Sequence, residues 1–177
     1  MTLWFKDWLV GMVIAIVGSA VIALICVLIL SLQGSSVWNE LLLDAPFRKP
    51  EIVAYYAQPL MQQLQLASFA WIGTALAGFA LWQITNLVSR PTGPGQIRWS
   101  WRSVHWFLLL VLVGTAGALA PYWLLAVRLD TVDAEAAQRL AAILGPLAAI
   151  LFWILSVLGA GRMMRPAVPL GRLMPVR

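Results

Sequence analysis

Long apolar stretches separated by short polar segments make up the hydropathy pattern of this chain. Four of these stretches lack Asp, Glu, Lys and Arg, and they run at about 8–30, 66–88, 104–127 and 140–160. At about 1.5 Å rise per residue, each stretch is long enough as a helix to cross the roughly 30 Å hydrocarbon layer of a membrane. Lipid offers no hydrogen-bond partners to free backbone N–H and C=O groups, so a spanning segment must be a helix or a strand of a closed barrel. The stretches lack the alternation of apolar and polar residues that barrel strands have, so each is predicted to be helical. The pattern therefore predicts an all-α integral membrane protein with four transmembrane helices in a single membrane domain, 1–177.

Basic residues in the connections predict the orientation, because Lys and Arg near the ends of spans resist translocation. The side with both termini has most of the 12 basic residues: Lys6, Arg90, Arg98, Arg102, Arg162, Arg165, Arg172 and Arg177. The other side has Arg48, Lys49, Arg128 and Arg139. We therefore expect both termini to be cytoplasmic (N-in, C-in) and 31–65 to be an extracytoplasmic connection. Because prolines recur in 161–177, that segment is predicted to be an extended cytoplasmic tail.

The composition excludes a soluble globular domain. Hydrophobic residues make up 62% of the chain and charged residues 11%, whereas soluble domains have about 45–50% and about 25%. One cysteine also excludes a disulfide scaffold. Arginine outnumbers lysine, and Ala, Gly and Pro are frequent. Because the codons for these residues are GC-rich, we expect a multi-pass protein of a bacterial inner (plasma) membrane.

Small residues recur at four-residue spacing along every predicted span. The rows are Gly11, Ala15, Ser19 and Ala23; Gly73 and Ala77; Ala70, Thr74 and Gly78; Gly114 and Ala118; and Ala141, Gly145 and Ala149. Helices in lipid associate through close packing, and small residues allow the backbones to approach each other. The rows are therefore predicted to be helix-packing faces, either within the chain or against other subunits.

Arginine and tryptophan are interleaved at the end of the cytoplasmic connection, and more arginines follow in the tail. The residues are Arg98, Trp99, Trp101, Arg102, Arg162, Arg165 and Arg172. A basic residue at a membrane surface adds about 1 kcal/mol of attraction for anionic lipid. We expect these residues to contact membrane lipids or other integral membrane subunits. Nucleic-acid sites use the same residue types, but the proximity to spans explains these residues, so no nucleic acid is expected as a partner.

Aromatic and apolar residues outside the spans predict contact with the membrane surface. Most of the 10 tryptophans lie near span ends, where amphipathic rings sit at headgroup depth; a ligand-stacking site is the alternative. Trp71, Trp82, Trp106 and Trp123 belong to this set. The segments 41–43 and 55–56 are also too apolar for a solvated loop. They are expected to lie on the membrane or to pack against another subunit.

The polar residues of the chain do not form a recognisable catalytic, cofactor or metal site. Gln83 is expected to make a structural hydrogen bond or to snorkel, and His105 and Cys26 lack the additional ligands or the second thiol that haem, zinc or redox chemistry requires. The acids Asp133 and Glu135 fit the first turn of a helix, with Thr131 as its N-cap. We therefore expect no catalytic residue, no cofactor and no metal.

These features favour a non-catalytic, structural or accessory subunit of a larger membrane complex, such as secretion or conjugation machinery or an energy-converting complex. The alternative is a small transporter or channel that acts as an oligomer, with Ser19, Thr74, Gln83 and Thr115 available to line a lumen. A lipid-modifying enzyme is a weaker hypothesis, because His105 is predicted on the opposite side of the membrane from the acids at 130–135.

Overall fold

The fold is all-helical, as the sequence predicts. The computed structural model describes residues 3–88, 101–159 and 168, and four helices in it are long and apolar enough to cross a membrane. These are α1 (Leu3–Leu42), α2 (Pro50–Val88), α3 (Trp101–Tyr122) and α4 (Ala134–Gly159). A short 3₁₀ helix, Ala45–Arg48, precedes α2, and a π-helical turn, Trp123–Val127, extends α3.

The four helices form a bundle in which α2 and α4 are central. Each of these two contacts the other three helices, and the interface between α3 and α4 is the most extensive in the described part of the chain. Helix α1 packs on α2 and α4. Helices α1 and α3 therefore lie on opposite sides of the α2–α4 pair, and each leaves a broad apolar surface exposed.

Helix α1 is interrupted at Gly34. This residue has φ 73° and ψ 164°, a conformation that glycine adopts without the steric penalty of a Cβ. The chain is helical again over 35–42. Helix also extends without a break from Pro50 into the second apolar stretch. Most of the connection at 31–65 is therefore helical, as extensions of α1 and α2.

Backbone hydrogen bonds join the two connections at one end of the bundle. Leu43 and Val132 form an antiparallel bridge. The Asp44 N–H donates to the Thr131 carbonyl at 3.0 Å, and the Asp133 N–H donates to the Leu42 carbonyl at 2.8 Å. We call this the connection end, and the opposite end, where α1 begins and α4 ends, the terminal end.

The N-cap of α4 is Asp133, and the prediction of Thr131 was wrong. The Asp133 carboxylate accepts a hydrogen bond from the Glu135 N–H at 2.9 Å, and its carbonyl accepts one from the Ala137 N–H at 2.9 Å. A side-chain oxygen that accepts from the first turn is the defining bond of an N-cap. Thr131 lies too early, because its carbonyl already pairs with Asp44 across the two connections.

Three tryptophans near span ends are buried in the core of the bundle and not exposed on its surface. Trp82 is 0% exposed, Trp106 is 2% exposed, and Trp71 is also buried. The ring of Trp106 stacks on Phe152 of α4, with centroids 5.7 Å apart. The Trp82 ring likewise stacks on His105 of α3, so packing between helices accounts for the burial of these rings.

Some of the aromatic and apolar residues outside the core are exposed at the connection end. The Trp123 ring is half exposed, and the Arg128 guanidinium lies 5.3 Å from its centroid, a cation–π distance. Leu41 is exposed, whereas Leu42 and Leu43 are buried within the chain. Only part of the 41–43 segment is therefore available to a membrane surface or another subunit.

Candidate docking faces and a polar cavity

Small residues allow α3 and α4 to pack closely against each other. A Cβ added at Gly145 would lie 2.7 Å from the Gly114 carbonyl oxygen and 2.9 Å from the Ala118 Cβ. A Cβ added at Gly114 would lie 3.5 Å from the Ala149 Cβ. Ala141, one turn before Gly145, is buried. The rows predicted on α3 and α4 thus face each other within this chain.

The small-residue row of α1 also faces inward. A Cβ added at Gly11 would lie 2.6 Å from the Gly159 carbonyl oxygen at the end of α4. Ala15 and Ser19 are buried, and Ala23 is half-buried. This row packs against the rest of the bundle, so it is not available to another chain.

Helix α2 has one row on each side. Ala70, Thr74 and Gly78 face inward, and a Cβ added at Gly78 would meet the side chains of Val113 and Phe152. The row that contains Gly73 and Ala77 faces outward.

The outward-facing row consists of Phe69, Gly73, Ala77 and Leu81, which follow one another at four-residue spacing. All four residues are exposed, and a Cβ added at Gly73 would have nothing within 4 Å. Two large side chains therefore flank a shallow apolar depression on the surface of α2. We call this surface the α2 groove.

Polar side chains link the helices near the terminal end. The buried Gln83 side chain donates from Nε2 to the Gly159 carbonyl at 3.0 Å, which confirms the predicted structural hydrogen bond. Thr85 and His105 are 3.1 Å apart, and His105 stacks on Trp82 with ring centroids 6.4 Å apart. The Thr85 hydroxyl also donates to the Leu81 carbonyl of its own helix at 2.9 Å. These contacts connect α2 to α3 and α4.

A polar cavity of about 600 Å³ opens at the connection end. The lining residues are Ser36, Asn39, Glu40, Arg48, Pro50, Val53, Ala54 and Ala57. They come from α1 after Gly34, the 3₁₀ helix and the first turns of α2. Asn39 is only 4% exposed, and its amide oxygen has no hydrogen-bond partner.

This cavity is not evident from the sequence. Ser36, Asn39 and Glu40 are spaced i, i+3 and i+4, which places polar side chains on one face of a helix. That spacing indicates a site only if 35–42 is helical, and that segment was interpreted as a connection.

The predicted lipid- or partner-contact residues are mostly beyond what the structure describes. Arg98, Trp99, Arg162, Arg165 and Arg172 lie outside the described residues, and Trp101 and Arg102 are the first two residues of α3.

Over 3–88, 101–159 and 168, no group of three His, Cys, Asp or Glu side chains is placed to hold a metal ion.

No protein-family model, curated protein or solved structure matches this chain.

Proposed function

We propose that this chain is a non-catalytic, structural or accessory subunit of a larger multi-protein complex in the bacterial inner membrane, with both termini in the cytoplasm. The complex would be secretion or conjugation machinery or an energy-converting complex. The observation that supports this proposal is the α2 groove.

The α2 groove differs from the other small-residue rows in what covers it. The rows of α1, α3 and α4 and the inner row of α2 meet helices of this chain, whereas Gly73 and Ala77 are exposed and a Cβ added at Gly73 would have nothing within 4 Å. Glycine within a helix is less stable than alanine by roughly 0.5–1 kcal/mol. At Gly73 no internal contact offsets that cost. A helix of another subunit seated on the groove would offset it, because small residues allow close approach in lipid.

Site-specific photo-crosslinking tests this proposal. We would replace Phe69, which borders the α2 groove, with a photoreactive benzoylphenylalanine, and make the same change at Phe107 as a control. Phe107 is an exposed phenylalanine on α3, away from the groove. After irradiation of native membranes, we expect a discrete adduct with another polypeptide from position 69 and none from position 107.

A second substitution shows whether the adduct depends on the groove. Gly73→Leu fills the depression and is expected to abolish the adduct at position 69. Gly18→Leu is the matched control, because a Cβ at Gly18 also has nothing within 4 Å and the residue lies on α1. An adduct that persists in Gly73→Leu would contradict the role of the groove. An adduct made only of copies of this chain, together with solute flux in liposomes, would favour the oligomeric transporter or channel.

A further inference from the structure

Two opposite charges line the polar cavity without pairing with each other. Glu40 of α1 and Arg48 of the 3₁₀ helix both border it, whereas the ion pair in the described part of the chain joins Arg139 to Glu135. The Arg48 Nε donates to the Leu43 carbonyl at 2.7 Å. This bond holds the guanidinium beside the cavity and leaves its terminal N–H groups for another acceptor. The cavity therefore offers a carboxylate to a cation and a guanidinium to an anion.

Asn39 adds a buried acceptor that has no donor. Its side chain is 4% exposed, and its amide oxygen is buried without a hydrogen-bond partner. Buried polar atoms are nearly always hydrogen-bonded, so an exception needs an explanation. An N–H group of a ligand would supply the missing donor once the buried side chain turns toward the cavity. Because Asn39 and Glu40 both line the cavity, one ammonium group with several N–H bonds can serve both.

The surroundings of the cavity indicate a lipid as the source of that ammonium group. The cavity lies beyond Gly34, where the apolar span of α1 ends, and apolar side chains such as Val53 line its α2 side. Val37 and Leu41 are exposed on the same helical segment as Asn39. These apolar side chains provide a surface for acyl chains directly beside the polar residues.

We propose that the polar cavity binds the headgroup of a phospholipid with a primary ammonium group, of the phosphatidylethanolamine type. The ammonium donates to the Asn39 amide oxygen and the Glu40 carboxylate, and the phosphate accepts from the Arg48 guanidinium, as guanidinium groups commonly do. A volume of about 600 Å³ falls within the usual range of ligand sites. Phosphatidylcholine cannot make these bonds, because its quaternary ammonium has no N–H.

Lipid retention in native mass spectrometry tests this proposal directly. We would incubate the full chain in mild detergent with phosphatidylethanolamine, phosphatidylcholine or phosphatidylglycerol of matched acyl chains. We expect phosphatidylethanolamine to bind at least about tenfold more tightly than the other two, because the charge-assisted hydrogen bond to Glu40 alone gives about this factor. Equal binding of phosphatidylethanolamine and phosphatidylcholine would overturn the proposal, whatever the variants show.

Two variants and two controls locate the site. Glu40→Gln removes the charge with little change in shape, and Ala54→Trp fills the cavity. The controls are Glu51→Gln and Gln58→Trp, which alter exposed residues of α2 that do not line the cavity. We expect the preference for phosphatidylethanolamine to be lost in the first pair and kept in the second.

The results of these experiments distinguish the proposed site from the alternatives. Equal effects of Glu40→Gln and Glu51→Gln would overturn the assignment of the cavity. Free phosphoethanolamine is the final arm, and binding as tight as that of the lipid would show a site for a water-soluble zwitterion and overturn the lipid assignment. Circular dichroism verifies that each variant is folded; if Ala54→Trp is not, Glu40→Gln and the comparison of lipids still decide the question.

Discussion

Adding one methyl group at two different glycines should change stability in opposite directions. At Gly145 the new Cβ would lie 2.7 Å from the Gly114 carbonyl oxygen and 2.9 Å from the Ala118 Cβ. Carbon atoms pack best at about 3.5–4.0 Å, so α3 and α4 must move apart by roughly 1 Å or less. Overpacking of this kind costs about 1–3 kcal/mol, and the better helix propensity of alanine offsets about 0.5–1 kcal/mol of it. We expect Gly145→Ala to lower the free energy of unfolding by about 1–2 kcal/mol.

Gly73→Ala is the matched comparison. A Cβ there meets nothing within 4 Å, so only the gain in helix propensity remains, about 0.5–1 kcal/mol. Unfolding of the purified chain in mixed micelles, followed by circular dichroism, measures both changes. Equal shifts in the two variants, or stabilisation by Gly145→Ala, would refute the interpretation of the α3–α4 interface as a close backbone contact.

Three further substitutions test individual contacts by the same assay. Gln83→Leu removes the hydrogen bond to the Gly159 carbonyl and is expected to cost about 0.6–1.7 kcal/mol, the range for such bonds in membranes; no loss would contradict a structural role. Asp133→Ala removes the N-cap of α4 and should cost about 1 kcal/mol, whereas Asp130→Ala should have little effect because Asp130 is exposed and outside the cap. Ser19→Ala removes a buried hydroxyl without a partner, so stability should stay the same or rise by up to about 1 kcal/mol; a marked loss would indicate a partner for this hydroxyl.

Hydropathy was sufficient to predict the helices but not which faces of them meet. Gly11 and Gly73 each begin a small residue row at four-residue spacing, yet the first meets the Gly159 backbone and the second meets nothing. The difference depends on how α1 and α2 are rotated in the bundle. Four-residue spacing specifies a face of a helix, and the neighbours of that face are set by the whole fold.

The tryptophans show a related limit. Trp82, Trp106 and Trp123 all lie near span ends in the sequence, but the first two fill the core and the third is half exposed. Trp82 and Trp106 retain indole N–H groups without a hydrogen-bond partner, so packing of their rings decided their position. Sequence position alone does not reveal that the Trp106 ring stacks on Phe152 or that the Trp82 ring stacks on His105.

The polar cavity was missed for a different reason. Asn39 and Glu40 lie in a helical extension that follows a single unusual residue, Gly34. A glycine next to two serines is typical of a turn, so the pattern favoured a loop over a resumed helix. Arg48 joins them only after the chain reverses direction, which brings the 3₁₀ helix back beside α1.

The bridge between Leu43 and Val132 is formed by peptide groups, which every residue type except proline can supply in full. The side chains of 42–44 and 131–133 can therefore change widely during evolution while the backbone hydrogen bonds between the two connections persist. Proline is the exception, since at position 44 or 133 it would delete a donor. Distant homologues should thus share an avoidance of proline at these two positions more reliably than any particular amino acid.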